Sequence, residues 1–246
     1  MKRENISVCM ATYNGANYLE EQIESIINQL IDGDELIIVD DGSKDLTVKI
    51  ALNYDDSRIK IIVNDQNIGV NKNFEKAIRM ANHNYIFLAD QDDIWVDGRL
   101  DLMYNALKDG NYNLVSGNSL FIDSNGQPSQ YIDQRLEFIN SNKIVKNILE
   151  IFRGAIPYFG CAMAFRKELS KIILPFPSYI ESHDLWIVKA SLLMRKNLHL
   201  EDNVLYRRIH QSNASVIKRP LLPKIWSRIV FLKSIIELSK RIKQNN

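Results

Sequence analysis

The sequence predicts an α/β protein with a mostly parallel central sheet, helices on both faces and a helical C-terminal segment. Two patterns carry this prediction. Short apolar runs of strand length alternate with segments whose apolar residues recur at helical spacing, as is typical of βαβ units. The apolar runs also end repeatedly in polar clusters. The chain has 246 residues, 46% hydrophobic and 25% charged, which suits one large globular domain with an appendage.

The predicted elements follow a regular order in the first half of the chain. The apolar run from Ile6 to Ala11 stops at a polar turn and predicts the first strand. Apolar residues at helical spacing from Leu19 to Leu30 predict the first helix. The same two patterns then recur, with strands at 35–39, 59–63, 85–89 and 113–122, and helices at 45–53, 71–81 and 97–108.

Beyond the turn at 124–126 the alternation of strands and helices becomes irregular. The remaining elements are strands at 160–165 and 204–209, and helices at 184–195 and from about 220 to 243. We therefore expect one domain at 1–215, whose two parts meet at about residue 123, and a separate C-terminal helix at 216–246.

Cysteine content and hydropathy predict a cytoplasmic protein. Cys9 and Cys161 lie in apolar runs that are predicted as strands, so we expect two buried, reduced thiols. The first residues do not have the pattern of a signal peptide. No apolar run approaches the roughly 20 residues that a membrane-spanning helix needs.

Polar residues follow four of the predicted strands, at the end where each strand stops. These clusters are 12–14, 40–41, 64–69 and 90–93. Because the carboxyl ends of parallel strands meet at one edge of a sheet, we expect the clusters to lie close together. Ligands of open α/β sheets bind outside that edge. The sequence therefore predicts a ligand site there.

The most acidic of these clusters is Asp90-Gln91-Asp92-Asp93, which places three carboxylates within four residues. Close carboxylates repel one another unless water or a cation neutralises them. Oxygen ligands suit Mg²⁺ or Mn²⁺, which keep part of their coordination for water and substrate phosphates. The alternative is a solvated acidic turn that caps the next helix, and the three carboxylates alone do not decide between the two.

Two further carboxylates have both a chemical and a structural interpretation. Asp41 could accept hydrogen bonds from a nucleobase or a ribose, or could belong to an ordinary turn with Gly42 and Ser43. Asp184 could act as a general base that faces the ligand site. Equally, Asp184 could be part of a helix N-cap with Ser182, where its charge favours the helix dipole.

One aromatic ring and three basic side chains are also candidates. Tyr13 could stack on a nucleobase or belong only to a turn. His210 could bind a metal or contact phosphate, and Arg207 and Arg208 could bind a diphosphate, or all three could be solvated. No G-x-G-x-x-G follows the first strand and no G-x-x-x-x-G-K-[ST] occurs. The charge of a bound phosphate would therefore have to be met by a metal.

Charge is balanced over the whole chain but not along it. The 31 Lys and Arg residues against 30 Asp and Glu give a net charge of +1, which makes no case for nucleic-acid binding. From Ile217 onward, eight basic residues stand against Glu237 alone. The apolar residues among them recur at helical spacing: Leu221, Ile225, Ile229, Leu232 and Ile236, with Trp226 and Phe231 nearby. This basic amphipathic helix could lie on an anionic bilayer, pack against the domain or form a dimer.

Seven stretches, in this order, resemble the family 2 glycosyltransferases, which have the GT-A fold. They run from about Ile6 to Ser215 and cover most of the chain. The stretches are ISVCMATYNGANYLEEQIESIINQ, LIIVDDGSKDLT, NIGVNKNFEKAI, YIFLADQDDIW, FGCAMAFRKEL, SHDLWI and LYRRIHQSNAS. The form LADQDDIW, with GVNKNF before it, is most similar to the bacterial branch that includes rhamnosyltransferases of surface polysaccharide assembly.

The resemblance implies a role for each matched position. Tyr13 and Asp41 would hold the nucleobase, and Asp40 and Asp45 would support that loop. Asp184 stands where the family has its catalytic base. The implied metal ligands are Asp92, Asp90 and His210, with Asp92 as the direct ligand. The implied nucleotide-binding residues are Thr12, Tyr13, Asn14, Asp41, Asn67, Asn73, Asp90 and Gln91.

The resemblance also implies a reaction: inverting transfer of a sugar from a UDP- or dTDP-sugar, assisted by Mn²⁺ or Mg²⁺. The acceptor would be a hydroxyl of a bacterial surface glycan, carried on a lipid. The nucleotide would bind to the part at about 1–123 and the acceptor to the part at about 124–215. The C-terminal helix would contact the inner face of the plasma membrane.

Two alternatives belong to other functional classes. A sugar nucleotidyltransferase usually needs a glycine-rich, basic loop after the first strand, whereas residues 12–17 contain neither Lys nor Arg. A non-catalytic nucleotide- or metal-binding module of the receiver type pairs carboxylates after that strand, where this chain has Thr12-Tyr13-Asn14.

Overall fold

The computed structural model describes residues 3–210 and 221–245, with side chains from 226 onward in the second range. It confirms the predicted α/β fold of the GT-A type. The described strands are β1 (Ile6–Thr12), β2 (Glu35–Asp40), β3 (Ile59–Val63), β4 (Tyr85–Asp90), β5 (Ile94–Trp95), β6 (Leu114–Ile122), β7 (Met163–Arg166) and β8 (Asn197–Arg208). The described α-helices are α1 (Leu19–Ile27), α2 (Thr47–Leu52), α3 (Val70–Met80), α4 (Arg99–Asp109), α5 (Ile144–Arg153), α6 (Ser170–Ile173), α7 (His183–Leu193) and α8 (Leu221–Asn245).

The eight strands form one sheet in the order β3-β2-β1-β4-β7-β6-β8-β5. The first four of these are mutually parallel, as the alternation of strands and helices predicts. Strand β1 lies between β2 and β4, and its register pairs Thr12 with Asp40 and Ala11 with Asp90. The polar clusters that follow these strands therefore begin at the same level of the sheet.

Each face of the sheet is covered by helices and buries its own apolar core. On one face the core includes Ile37 and Val39 of β2, packed with Phe74 of α3 and Trp186 of α7. On the other face, residues of β1 pack with α1 and α4, as Met10 does with Ile23 and Met103. Both cysteines are buried and free, as predicted. Among the described residues, no helix has both the length and the apolar character needed to cross a bilayer.

The structure corrects the strand predicted at 160–165. Residues Gly160–Ala162 form a 3₁₀ turn, and β7 begins only at Met163. The carbonyl oxygen of Cys161 accepts a hydrogen bond of 2.5 Å from the buried Arg99 guanidinium. This bond between residues distant in sequence replaces the ladder bond that a strand would supply.

In other places the sequence pattern predicts an element that is too short or predicts none. β8 begins at Asn197, seven residues before the predicted start, because its exposed middle interrupts the apolar run that periodicity detects. β5 is a two-residue strand paired antiparallel with β8. α5 and α6 were not predicted, although α5 has an apolar stripe at Ile144, Ile148 and Ile151.

The C-terminal helix forms as predicted, but its apolar residues lie on two opposite sides. Val230, Phe231 and Leu238 are buried on the side that packs against α6 and α7. The predicted stripe lies on the other side, where Trp226, Ile229, Leu232 and Ile236 are 51–58% exposed. Sequence periodicity detects apolar residues but not which side the domain covers. The predicted domain boundary at 215 and the stretch QSNAS lie outside the described residues.

Candidate active site

The carboxyl ends of β1, β2 and β4 and the start of α7 surround one cavity of about 770 Å³. Cavities of this size hold ligands as large as a nucleotide sugar. The predicted site residues that line it are Thr12, Tyr13, Asp41, Asn67, Asn73, Asp90, Gln91, Asp92 and Asp184. Asn14 and His210 are not among its lining residues. Residues that are distant in sequence thus meet at the sheet edge where the polar clusters were expected.

Two carboxylates that do not line the cavity hold the loops beside it. Asp40 accepts hydrogen bonds from the Thr12 hydroxyl (2.8 Å) and from the backbone N–H of Ser43 (2.8 Å). Asp45 accepts from the backbone N–H of Ala16 (3.1 Å). The loops that follow β1 and β2 are thereby tied to each other.

Asp41 is buried and fixes the loop that leads into α3. Its Oδ1 accepts from the backbone N–H of Ile68 (2.8 Å), and its Oδ2 accepts from the backbone N–H of Gly69 (2.8 Å). Gly69 has a φ of +89°, which is accessible at low cost only to glycine. The side chain of the nearby Asn73 is also hydrogen-bonded to protein groups. Its Nδ2 donates to the Val39 carbonyl, and its Oδ1 accepts from Asn64 Nδ2.

Tyr13 presents an exposed ring on a fixed backbone. Its N–H donates to Gln91 Oε1 (2.8 Å), and Gln91 Nε2 donates to the Tyr13 carbonyl (3.1 Å). A Cβ at Gly15 would lie 2.2 Å from Gln91 Oε1, so a larger residue there would displace the Gln91 amide from Tyr13. Asn14 does not reach the cavity because its Oδ1 accepts from the backbone N–H of Lys44. The 45% exposed Tyr13 ring is free to stack on a planar ligand.

The acidic turn after β4 concentrates negative charge beside the cavity. Burial and the neighbouring charges of Asp93 and Asp92 raise the pKa of Asp90 to about 8. Burial and the charge of Asp92 raise the pKa of Asp93 to about 6. The raised pKa values show that the negative charges of these carboxylates are unfavourable where they lie. A bound cation can replace the protons and neutralise these charges.

Two sets of residues beside this turn could hold such a cation. The first is the predicted set of Asp92, His210 and Asp90, in which His210 Nε2 lies 2.8 Å from Asp92 Oδ2 and both of these side chains are about 15% exposed. In the second, ligand atoms of Asp90, Asp93 and Cys161 lie within 4.8 Å of one another. Burial raises the pKa of the Cys161 thiol well above its usual value, and a protonated thiol is a poor ligand for hard cations. The first set therefore suits Mg²⁺ or Mn²⁺ better.

Asp184 stands in the first turn of α7 and lines the same cavity as the acidic turn. Its Oδ1 accepts from the backbone N–H of Leu185 (2.7 Å). Ser182 is the N-cap, and its Oγ accepts from the same N–H (3.4 Å). The two interpretations of this segment are thus compatible, because Ser182 caps the helix while Asp184 lines the cavity.

Several lining residues were not predicted to belong to the site. Phe159 forms one wall. The guanidinium of Arg207, which the sequence offers as a possible diphosphate ligand, is buried 4.1 Å above the Phe159 ring and lines the same cavity. Asn71 and His183 line the cavity beside Asp184. The aromatic pair Tyr158-Phe159 directly before Gly160 was a sequence signal for such a wall. The sequence holds no comparable signal that Asn71 meets His183.

The family model for glycosyl transferase family 2 matches residues 7–173 of the chain. The chain belongs to this family. Among similar glycosyltransferases is the Escherichia coli UDP-Glc:alpha-D-GlcNAc-diphosphoundecaprenol beta-1,3-glucosyltransferase WfgD, 29% identical over 58% of this chain and 55% of that protein. The dTDP-rhamnosyl transferase RfbG of Shigella flexneri is 32% identical over 65% of this chain and 54% of its own. The chain spans about a third to a half of the length of the first curated relatives it matches.

Solved structures support the same fold for this chain. S. aureus TarS in complex with UDP-GlcNAc has a TM-score of 0.69 at 18% identity, over 97% of this chain and 72% of TarS. Glucosyl-3-phosphoglycerate synthase from Mycobacterium tuberculosis, in complex with Mn²⁺, UDP and glucosyl-3-phosphoglycerate, has a TM-score of 0.59 at 19% identity. That match covers 96% of this chain and 79% of the synthase. Both comparisons confirm the GT-A fold.

Proposed function

We propose that this glycosyltransferase moves a sugar from a UDP- or dTDP-sugar to a hydroxyl of a lipid-linked bacterial surface glycan, with inversion and with the help of Mn²⁺ or Mg²⁺. The observation that carries the proposal is the convergence of Asp41, Asp92 and Asp184 on one cavity. The nucleotide would bind to the part at about 1–123 and the acceptor to the part at about 124–215. The names of two relatives, a UDP-Glc-dependent glucosyltransferase and a dTDP-rhamnosyl transferase, support these donor classes.

A divalent cation fits the residues present. The acidic turn holds carboxylates with raised pKa values, and the nitrogen of His210 lies beside Asp92. Asp92, Asp90 and His210 would hold the cation. When bound, it would neutralise the charge that develops on the departing diphosphate. The presence of Mn²⁺ in the mycobacterial synthase supports this choice of ion.

Asp184 is proposed as the general base. Its carboxylate would take the proton from the acceptor hydroxyl, and the hydroxyl oxygen would attack the anomeric carbon from the face opposite the diphosphate. The bond between the anomeric carbon and the phosphate oxygen breaks, and the nucleoside diphosphate leaves with the bonding electrons. A single displacement inverts the anomeric centre. It requires no carboxylate nucleophile and no covalent intermediate, unlike the reaction of retaining hydrolases.

A donor panel tests this proposal. Thermal unfolding is followed with UDP-glucose, UDP-GlcNAc, dTDP-rhamnose and GDP-mannose, each with Mn²⁺. The best ligand is then incubated with GlcNAc-diphosphoundecaprenol, the acceptor in the name of the E. coli relative. We expect a UDP- or dTDP-sugar to stabilise the protein and its sugar to be transferred. Pyrophosphate release from a nucleoside triphosphate would instead indicate a nucleotidyltransferase, and no response to any nucleotide would indicate a non-catalytic module.

The raised pKa values predict that stabilisation by Mn²⁺ depends on pH. Because the pKa values of Asp90 and Asp93 in the folded protein, about 8 and about 6, exceed those of the unfolded chain, the folded state binds more protons between about pH 4 and 8. The metal-free protein should therefore lose stability as pH rises through this window. Mn²⁺ should raise Tm more at pH 8 than at pH 5.5, as measured by calorimetry. An equal shift at both pH values, or the same pH-dependent gain in Asp92→Ala, would contradict the assignment.

We propose that α8 holds the protein, in the cytoplasm, on the inner face of the plasma membrane. The side of α8 that faces away from the domain exposes Trp226, Ile229, Leu232 and Ile236. The same helix carries exposed basic side chains at Lys233, Lys240 and Lys243. Apolar residues flanked by lysines bind the interface of an anionic bilayer, where a lipid-linked acceptor would also lie.

Vesicle sedimentation tests the membrane proposal. We expect the protein to sediment with phosphatidylglycerol vesicles, less strongly at high salt, and not with phosphatidylcholine vesicles. The double variant Leu232→Asp/Ile236→Asp should remain in the supernatant, whereas the control Gln244→Asp, an exposed change on the same helix, should sediment like the wild type. If the double variant instead abolishes a concentration-dependent dimer and leaves sedimentation unchanged, the exposed side of α8 is a dimer interface.

A further inference from the structure

One asparagine joins the start of α3 to the loop that carries Asp184. Asn71 is the second residue of α3, and its Nδ2 donates to the carbonyl oxygen of Ile180 (3.2 Å). Its Oδ1 accepts from the backbone N–H of His183 (3.0 Å). The side chain thus binds the backbone on both sides of the 181–182 segment, directly before Asp184.

The ring of His183 strengthens this connection. His183 is 8% exposed, and its ring stacks on Phe74 with centroids 4.1 Å apart. Burial lowers the pKa of His183, so the imidazole is neutral near pH 7. The orientation of the Asn71 amide is fixed by its carbonyl and N–H partners, so Oδ1 faces His183 Nδ1 at 3.3 Å. Nδ1 therefore carries the ring proton and donates it to the same oxygen.

The start of α3 is also tied to the predicted nucleotide site. The backbone N–H groups of Ile68 and Gly69 donate to Asp41, and Asn71 follows two residues later. The backbone from Ile68 to Asn71 therefore connects two sets of hydrogen bonds, one to Asp41 and the other to the backbone at 180–183. Both ends of the Asn71 amide bind the backbone at 180–183, so the side chain can fix the position of this loop.

We propose that Asn71 is a positioning residue, which with His183 holds the loop at 180–183 so that Asp184 faces the donor bound beside Asp41. This inference rests on the proposed function, in which Asp184 is the general base. A misplacement of a catalytic group by about 1 Å can cost about 100-fold in rate. Asn71 should therefore control turnover without controlling nucleotide affinity.

The first test compares Asn71→Ala with Asn84→Ala, a matched change at an exposed asparagine before β4. UDP affinity with Mn²⁺ is measured by calorimetry, and hydrogen exchange is followed in a peptide that covers 180–185. In Asn71→Ala we expect faster exchange in this peptide and a UDP affinity within about threefold of the wild type, because Asp41 keeps its own partners. Exchange as slow as in Asn84→Ala would overturn the proposal.

The second test separates positioning from a general loss of order. Nucleotide release from the panel sugar nucleotide that the wild type cleaves fastest is measured in the steady state, over a range of donor concentrations. Asn71→Ala should lower kcat by about 10- to 100-fold with little change in KM. In an Asp184→Asn background the same change should have almost no further effect, because residues that act as one unit are not additive. If Asn71→Ala lowers kcat by the same factor in the Asp184→Asn background as in the wild type, the proposal is overturned. Failure of the wild type to bind either UDP or dTDP in the presence of Mn²⁺ would refute the proposed function instead.

Discussion

Replacing Asp184 by asparagine should reduce sugar transfer by about 10²- to 10⁴-fold, the contribution typical of a general base. The amide cannot take the proton of the acceptor hydroxyl. The fold should be unaffected, because the side-chain oxygen of asparagine can still accept from the Leu185 N–H, and Ser182 still caps α7. Transfer is measured with the donor identified by the panel, and UDP affinity is measured in parallel.

Asp109→Asn is the matched control for this variant. Asp109 is exposed at the end of α4. The control should transfer sugar at the wild-type rate and unfold at the wild-type temperature. Asp184→Asn should also bind UDP with wild-type affinity. Turnover near the wild-type rate in Asp184→Asn would show that another group takes the proton.

Replacing Asp92 by alanine should abolish Mn²⁺-dependent UDP binding and lower transfer by about 10³-fold, because the diphosphate then loses the divalent cation as its counter-ion. The loss is expected to persist at high Mn²⁺ concentration. His210→Ala should weaken Mn²⁺ binding less strongly, since the carboxylate of Asp92 remains. Calorimetric titration of UDP at several Mn²⁺ concentrations measures both effects.

A variant of Cys161 distinguishes the two candidate cation sites. If the cation lies beside Asp92 and His210, Cys161→Ala should leave Mn²⁺ affinity unchanged within about threefold, because a protonated thiol is not a ligand. If the cation lies among Asp90, Asp93 and Cys161, the same variant should weaken Mn²⁺ binding strongly while His210→Ala has no effect. Normal turnover of Asp92→Ala with added Mn²⁺ would contradict the proposed role of Asp92.

The sequence predicts much of the first half of the chain because its signals there are local. The apolar runs of β1, β2 and β4 and the polar residues that follow them depend on neighbouring positions only. Parallel pairing then brings their ends together without further information. The cavity lining at Tyr13, Asp41 and Asp92 is accordingly found where the pattern predicts it.

The remaining features depend on contacts between residues that are distant in sequence. The turn at Gly160–Ala162 replaces a predicted strand because the Arg99 guanidinium binds the Cys161 carbonyl, 62 positions away. The bond between Asn71 and His183 spans 112 positions. In α8, apolar residues on two sides are equally compatible with packing, and only the position of α6 and α7 decides which side is buried. Periodicity does not encode such choices.

Crystals soaked with Mn²⁺ and UDP, with anomalous diffraction measured at the manganese edge, test the central claim most directly. We predict one manganese peak within coordination distance of Asp92 and His210 that bridges to the diphosphate, with the uracil beside Tyr13 and Asp41. A peak among Asp90, Asp93 and Cys161 with no diphosphate contact, or UDP bound with no manganese at the acidic turn, would contradict it.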